Sequence, residues 1–280
     1  MLTTTNHDRD SAGMTYVYPV VSRRAGGVSI GINLNPNHAC NWRCIYCQVP
    51  NLQRGSAPLL DLSQLAHELR SLLTAICYGD YLQQHVAPEL RTLRDVALSG
   101  NGEPTTSPQF CAVMATLENV LAEFSLLGQL PVVLITNGSL LFRPEVQRGI
   151  AHLSTLGGEV WFKLDRATRD GVAQVNDTQQ TPANIEHALF SCSQHCRTWV
   201  QTSVFALDGL PPNATEVQAY LDLLQRVLAR GAKLAGVLIY GLARPSLQPE
   251  APRLSAVSPI WLNHFVQQLE ALSLSVRVHG

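Results

Sequence analysis

The stretch Asn33-Leu-Asn-Pro-Asn-His-Ala-Cys40-Asn-Trp-Arg-Cys44-Ile-Tyr-Cys47 places three cysteines within eight positions, directly after a strand-like run at residues 28–34. Thiolates this close together can share one metal centre, and they favour zinc, copper(I) or iron–sulfur clusters. A zinc site normally takes a fourth protein ligand, for which His38 is the local candidate, whereas a cluster held by three cysteines leaves one iron open. The spacing therefore predicts a metal centre on a loop, and both kinds of centre stay open at this point.

The remainder of the chain alternates strand-like runs with segments of helical period, the pattern of βα units around a parallel sheet. The predicted strands cover residues 28–34, 96–99, 132–136, 160–164, 199–205 and 234–240, with a weaker candidate at 274–278. We also expect a helix over residues 62–76, capped by Asp61, and another over 216–230, capped by Thr215. A doubly wound open sheet and an incompletely closed barrel both fit this pattern, and in either case functional residues gather where strands end.

Composition agrees with a folded α/β protein. Of the 280 residues, 46% are hydrophobic and 15% are charged, which argues against disorder. The net charge of −1 gives the chain no overall electrostatic attraction to nucleic acid or to an anionic membrane surface. The first residues lack the pattern of a secretory signal, and no apolar run has membrane-spanning length. We therefore expect a cytoplasmic protein with no membrane partner, with residues 1–26 as an N-terminal lead-in and 27–280 as one core domain with a C-terminal extension.

The cysteine stretch resembles the characteristic loop of the radical S-adenosylmethionine (radical SAM) superfamily, Cys-x-x-x-Cys-x-aromatic-Cys, at Cys40, Cys44, Tyr46 and Cys47. The resemblance implies a partial (β/α)6 TIM-like barrel. It also implies that the three cysteines hold a [4Fe–4S] cluster, that the fourth iron binds the amino and carboxylate groups of SAM, and that Tyr46 lies against adenine.

A second motif, Ser99-Gly-Asn-Gly-Glu-Pro104, follows the second predicted strand. It is similar to the superfamily's Gly-Gly-Glu motif, with Asn101 in place of the first glycine, a position that Asn tolerates better than most residues. The resemblance implies that Gly102 and Glu103 receive the SAM ammonium group. On its own, Glu103 is equally well interpreted as a solvated residue at the start of the next helix.

Polar residues at the ends of the third and fourth predicted strands resemble segments that face SAM in the superfamily, namely Asn137, Lys163 and Asp165. Each has a structural alternative. Asn137 can cap the turn before Ser139, and Lys163 and Asp165 share one strand face, where a buried ion pair would explain both. After the sixth predicted strand, Arg244 is a candidate substrate contact.

The segments 29–36 and 99–104 look similar to radical SAM proteins loosely related to wybutosine-forming tRNA enzymes. Those enzymes use a second cysteine cluster near the N-terminus and a lysine that captures pyruvate, whereas residues 1–39 contain no cysteine here. The near-neutral charge also gives no independent support for tRNA binding. The substrate class therefore stays open among small molecules such as nucleosides, RNA and protein.

The implied reaction is reductive cleavage of SAM to methionine and a 5′-deoxyadenosyl radical, which abstracts hydrogen from a substrate. It needs an electron donor such as a flavodoxin or ferredoxin, and the site should be oxygen-sensitive. The alternative function is a zinc or redox-sensing binding module without SAM chemistry.

The other four cysteines are interpreted as packing residues. Cys77 and Cys111 fall on predicted apolar helix faces. Cys192 and Cys196 lie four positions apart, so an auxiliary metal site there is the alternative to packing, although two thiols lack the usual complement of ligands.

Overall fold

The computed structural model describes residues 1–3, 12–22, 25–242 and 244–279, which divide into two units. The first unit comprises Met1–Asn41, Leu52–Ile135 and Arg143–Glu159, and the second comprises Trp42–Asn51, Thr136–Phe142 and Val160–Gly280. Within the described ranges, every helix is too short or too polar to cross a lipid bilayer.

The first unit is built on strands that run parallel with helices between them. Its elements are, in chain order, β1 (Val17–Ser22), β2 (Gly27–Ile32), β3 (Ala39–Cys40), β4 (Gln53–Arg54), α1 (Leu62–Cys77), α2 (Tyr81–His85), β5 (Leu93–Leu98), α3 (Phe110–Glu123), β6 (Val132–Thr136) and α4 (Pro144–Thr155). The strands neighbour one another in the order β1-β2-β5-β6, and β2, β5 and β6 pair in parallel. Asp61 caps α1 as predicted, since its side chain accepts from the N–H of Gln64. The bounds of β6 match the prediction.

Strand β1 lies in the segment that the sequence pattern predicts to be an irregular lead-in, and that prediction is wrong for residues 17–22. The strand pairs antiparallel with β2, with Val17 opposite Ile32 and Ser22 opposite Gly27. Pro19 obscures it in the sequence, because proline disfavours central strands but is compatible with a strand at the sheet edge. The boundary of the core domain stays a prediction.

Glu68 fastens the start of β1 to helix α1. Its buried carboxylate accepts backbone N–H groups from Thr15 at 3.0 Å, Tyr16 at 2.7 Å and Val17 at 3.2 Å. The amide of Gln64, one turn earlier on α1, donates to the same carboxylate at 2.8 Å. A buried acid is tolerated here because each oxygen has donors.

We expect Glu68→Ala to lower the free energy of unfolding by about 3 kcal/mol, because truncation leaves buried N–H groups without an acceptor. Urea denaturation of both proteins measures the difference. Glu123→Ala serves as the matched control, since the Glu123 carboxylate pairs with Arg70 on the exposed surface and a smaller loss is expected. Equal losses in the two variants would contradict the anchoring role of Glu68.

The second unit repeats the alternation of strands and helices. Its elements are β7 (Glu159–Lys163), α5 (Arg169–Asn176), α6 (Pro182–His195), β8 (Arg197–Ser203), β9 (Ala206–Leu207), α7 (Ala214–Ala229), β10 (Leu234–Tyr240), β11 (Leu254–Ser255), α8 (Pro259–Glu270) and β12 (Val276–His279). The strands neighbour one another in the order β7-β8-β10-β12, and β10 pairs in parallel with both β8 and β12. The bounds of β10 match the prediction.

Helix α7 begins two residues earlier than its predicted start. Asn213 is the N-cap, and its side chain accepts from the N–H of Glu216, so the prediction of Thr215 as the cap is wrong. Asn caps helices at least as well as Thr, and Thr215 lies within the first turn instead. Gly231 follows the helix with a φ of +90°, the left-handed backbone for which glycine is suited.

Candidate functional site

The cysteine loop of the second unit, residues 42–51, is held by backbone hydrogen bonds on two sides. The N–H of Ile45 donates to the carbonyl of Val175, in the last turn of α5, at 2.9 Å. The N–H of Leu247, in the segment after β10, donates to the carbonyl of Cys47 at 2.9 Å. The Ile45 side chain is buried in a cluster with Val175. The loop is therefore fixed in place by the elements around it.

Arg43, which lies between the first two cysteines, adds an ionic clamp to the loop. Its Nε donates to Asp177 Oδ2 at 3.0 Å, and its Nη1 and Nη2 donate to the two carboxylate oxygens of Glu250 at 2.9 and 2.8 Å. The hydrogen bonds to Glu250 raise the pKa of Arg43, and Arg43 in turn lowers the pKa of Glu250. Bidentate pairing of this kind fixes orientation as well as distance.

We expect Arg43→Gln to lower the free energy of unfolding by about 1 kcal/mol, because the clamp is half-buried and combines two carboxylates. Urea denaturation measures the loss. The pair of Arg253 with Asp208 is also bidentate but more exposed, so Arg253→Gln should have a smaller effect. A larger loss for Arg253→Gln would contradict the clamp.

Cys44 and Cys47 belong to one tight turn, in which the N–H of Cys47 donates to the carbonyl of Cys44 at 2.9 Å. Both residues are half-buried. Burial raises the pKa of the Cys44 thiol to about 11, while the charge of Lys163 and a hydrogen bond from Asn176 act in the opposite direction. The thiol is thus protonated at neutral pH, and binding a metal there would release the proton.

The hydroxyl of Tyr46 lies between the charged groups of Lys163 and Asp165. Lys163 Nζ donates to the Tyr46 oxygen, which donates its own proton to Asp165 Oδ2. The ammonium group also lies 4.7 Å from the centroid of the Tyr46 ring, and that ring packs on Phe205 with centroids 5.5 Å apart. Burial and the charge of Asp165 raise the pKa of Tyr46 well above its usual value, so the phenol stays neutral.

Asp165 receives further donors from the second unit. The N–H of Ser203, at the end of β8, donates to Oδ1 at 2.9 Å, and the side-chain amide of Asn176 donates to Oδ2 at 2.7 Å. These contacts satisfy the Asp165 carboxylate without a ligand, and the Tyr46 hydroxyl joins it to Lys163. Their contact with SAM stays a prediction.

Asn176 is the functional candidate that sequence reasoning missed. It is buried at the last position of α5, and its amide also donates to Cys44 Sγ at 3.3 Å. No motif marks it, because it lies 132 residues from Cys44 along the chain.

In the first unit, the motif at residues 99–104 passes very close to Asn35 and Ala39. A Cβ atom on Gly102 would lie 2.0 Å from the carbonyl oxygen of Ala39 and 2.7 Å from the Asn35 amide. The N–H of Asn101 donates to Asn33 Oδ1 at 3.1 Å, and the buried Asn101 Oδ1 has no hydrogen-bond partner among the residues that the structure describes. Glycine at position 102 is therefore required by the protein's own backbone packing.

Glu103 is buried, so its interpretation as a solvated residue is wrong. Its Oε1 accepts the N–H of Thr105 at 3.1 Å and the hydroxyl of the same residue at 2.5 Å. The carboxylate thereby caps a short 3₁₀ turn at Pro104–Thr106. Its contact with a SAM ammonium group stays a prediction.

Three other candidates lie on the backbone as follows. In the first unit, Cys40 ends β3 half-buried, and His38 adopts a left-handed backbone with a φ of 56°. In the second unit, Asn137 Oδ1 accepts the N–H of Ser139 at 3.0 Å and its hydroxyl at 2.6 Å. Asn137 therefore caps the turn, as the structural alternative predicted.

The donor set fits an iron–sulfur cluster by its chemistry, since Cys40, Cys44 and Cys47 carry thiol side chains and the Cys44 sulfur accepts an amide N–H. Over the described ranges, no three His, Cys, Asp or Glu side chains are placed as a group that could hold a metal ion. The three cysteines as cluster ligands stay a prediction.

The remaining cysteines differ in burial. Cys192 and Cys196 are buried, and the Thr198 hydroxyl donates to Cys192 Sγ at 3.4 Å. Burial raises the pKa of Cys192 to about 12, which makes it an unreactive packing residue. Cys77 is exposed, so the packing prediction is wrong there, because the last residue of α1 falls outside the helix's buried face.

The backbone of Arg244 contacts the cysteine loop, since its carbonyl accepts a hydrogen bond from Gln48 Nε2 at 3.0 Å. The next residues reinforce this contact, because the Ser246 hydroxyl donates to the carbonyls of Ile45 and Cys47 at 2.8 and 3.1 Å. The proposed contact of the Arg244 side chain with substrate stays a prediction.

Known proteins resemble this chain in sequence and in fold. No protein-family model matches the sequence. A curated protein of Helicobacter pylori (strain J99), described as UPF0026 protein, is 27% identical over 240 residues, which cover 85% of this chain and 68% of the relative.

Among solved structures, a radical SAM methyltransferase from Sphaerobacter thermophilus superposes with a TM-score of 0.60 at 15% identity, covering 94% of this chain and 68% of that one. The chain has the fold of radical SAM enzymes. TYW1 with a lysine–pyruvate adduct bound gives a TM-score of 0.59 at 14% identity, covering 97% of this chain and 79% of that one. The predicted fold class, a partial TIM-like α/β barrel of radical SAM type, is thereby confirmed.

Proposed function

We propose that this chain is a radical SAM enzyme in which Cys40, Cys44 and Cys47 hold a [4Fe–4S] cluster. One observation carries the proposal: in a chain with the radical SAM fold, the three-cysteine motif lies just after β2, and its second cysteine accepts an amide N–H in a firmly held loop. When bound and reduced, the cluster held by these cysteines would supply the electron for cleavage of SAM into methionine and a 5′-deoxyadenosyl radical, which would take a hydrogen atom from the substrate.

Within this proposal, Tyr46 provides the ring against which adenine packs. The hydrogen bond to Asp165 and the contact with Phe205 fix that ring, so little conformational entropy is lost on binding. Gly102 and Glu103 are assigned to the SAM ammonium group. Asn137, Lys163 and Asp165 are assigned to polar contacts with SAM, where Asp165 already carries its own donors.

The substrate and electron donor are proposed only by class. The donor is a flavodoxin or ferredoxin, and the substrate is a small molecule, RNA or protein. The fold similarity to TYW1 agrees with the sequence resemblance, whereas the net charge of −1 adds nothing in favour of RNA. Comparison of metabolites and modified RNA with and without the protein would identify the substrate class.

The test of the reaction is anaerobic reconstitution with iron and sulfide, followed by reduction in the presence of SAM. We expect about four irons per chain, by definition of the cluster, with an EPR signal on reduction and formation of 5′-deoxyadenosine. A protein that takes up zinc, gives no EPR signal and forms no 5′-deoxyadenosine would instead be the binding module, and the enzyme proposal would be lost.

A further inference from the structure

Asn176 uses both protons of its side-chain amide on groups of the candidate site. Its Nδ2 donates to Cys44 Sγ at 3.3 Å and to Asp165 Oδ2 at 2.7 Å. A primary amide has two N–H donors, so both bonds can form at once. The two acceptors leave one amide orientation, because a flipped amide would direct its carbonyl oxygen at a sulfur and a carboxylate.

The surroundings of Asn176 hold the amide in this position. The side chain is buried at the end of α5, and its backbone carbonyl accepts the N–H of Arg43 at 3.2 Å. Asp165 is itself fixed by the N–H of Ser203 and the hydroxyl of Tyr46. The donor to Cys44 is thus supported by a network of hydrogen bonds that does not depend on a bound group.

We propose that Asn176 is a positioning residue for the Cys44 sulfur and raises the reduction potential of the cluster, an inference that rests on the proposed function. Negative charge on the ligand sulfurs increases when a cluster gains an electron, and a hydrogen bond to a sulfur stabilises that charge. Partners of metal ligands also orient those ligands. Asn176 therefore favours the reduced cluster and fixes the direction of the Cys44 side chain.

The test is the midpoint potential of the reconstituted protein, measured by EPR-monitored redox titration without SAM. Asn176→Leu keeps the approximate size of the side chain but removes both donors. We expect its reduction to be about tenfold less favourable, which corresponds to about 59 mV toward lower potential for one electron. Asn184→Leu on the exposed face of α6 is the matched control and should keep the wild-type potential.

The outcomes separate the two proposals. A wild-type protein that holds no cluster overturns the proposed function. A wild-type protein that holds the cluster, with Asn176→Leu loaded to the same iron content and showing the same potential, overturns the role of Asn176 alone. If Asn176→Leu fails to fold or to hold iron, the smaller Asn176→Ala decides, because it also lacks a donor: a lowered potential supports the role and an unchanged potential overturns it.

Discussion

Replacing Cys44 with alanine is expected to prevent assembly of the cluster and to reduce 5′-deoxyadenosine formation by more than about 100-fold, since even the outer partners of metal ligands contribute 10- to 100-fold. The thiol lies in a turn with Cys47 and accepts a hydrogen bond from Asn176. The alanine side chain has no sulfur that could replace it. Iron content, EPR of the reduced protein and chromatography of the nucleoside product measure the effect.

Cys192→Ala is the control for this substitution. Cys192 is a free thiol like Cys44, but it is buried on α6 beside Thr198 of β8 and packs as a small apolar residue. Its loss should cost some stability and leave cluster content and product formation unchanged. Full turnover in Cys44→Ala would contradict the cluster assignment, and lost turnover in a folded Cys192→Ala would indicate an auxiliary metal site.

The sequence predicted those elements of the fold whose signal is local. Residues 132–136 and 234–240 form the predicted strands because each contains a run of mostly apolar residues bounded by turn residues. Strand β1 was missed because Pro19 obscures its pattern and because the N–H groups at its start are accepted by Glu68, about fifty positions later. A local pattern cannot reveal a strand that is anchored by a distant side chain.

The residues of the candidate site also differ in whether a local sequence signal marks them. The strand-end pattern singled out Asp165, which binds Tyr46, but no pattern singled out Asn176, which binds Cys44, or Glu250, which binds Arg43. Asn176 lies 132 positions from Cys44, and Glu250 lies 207 positions from Arg43. Neither partner belongs to a motif, since an amide at a helix end and a surface glutamate are ordinary residues by themselves. Their roles follow only from the hydrogen bonds that the fold creates.

Gly102→Ala is expected to lower the free energy of unfolding by about 3 kcal/mol, at the upper end of the range for overpacked positions. The added methyl group would lie 2.0 Å from the carbonyl oxygen of Ala39, so the backbone of one segment must move. Ala39 directly precedes Cys40, and the displacement should also lower the iron content of the reconstituted protein. Urea denaturation and iron analysis measure the two effects.

Gly241→Ala is the matched control for stability, because, apart from its chain neighbours, no atom of the described residues lies within 4 Å of its added Cβ and a change close to zero is expected. The comparison also distinguishes two reasons for a glycine at position 102. The family resemblance alone explains it as space for a ligand, in which case Gly102→Ala would weaken SAM binding and leave the stability of the ligand-free protein unchanged. The contact with Ala39 instead requires a loss of stability before any ligand is added, because the clash is with the protein's own backbone.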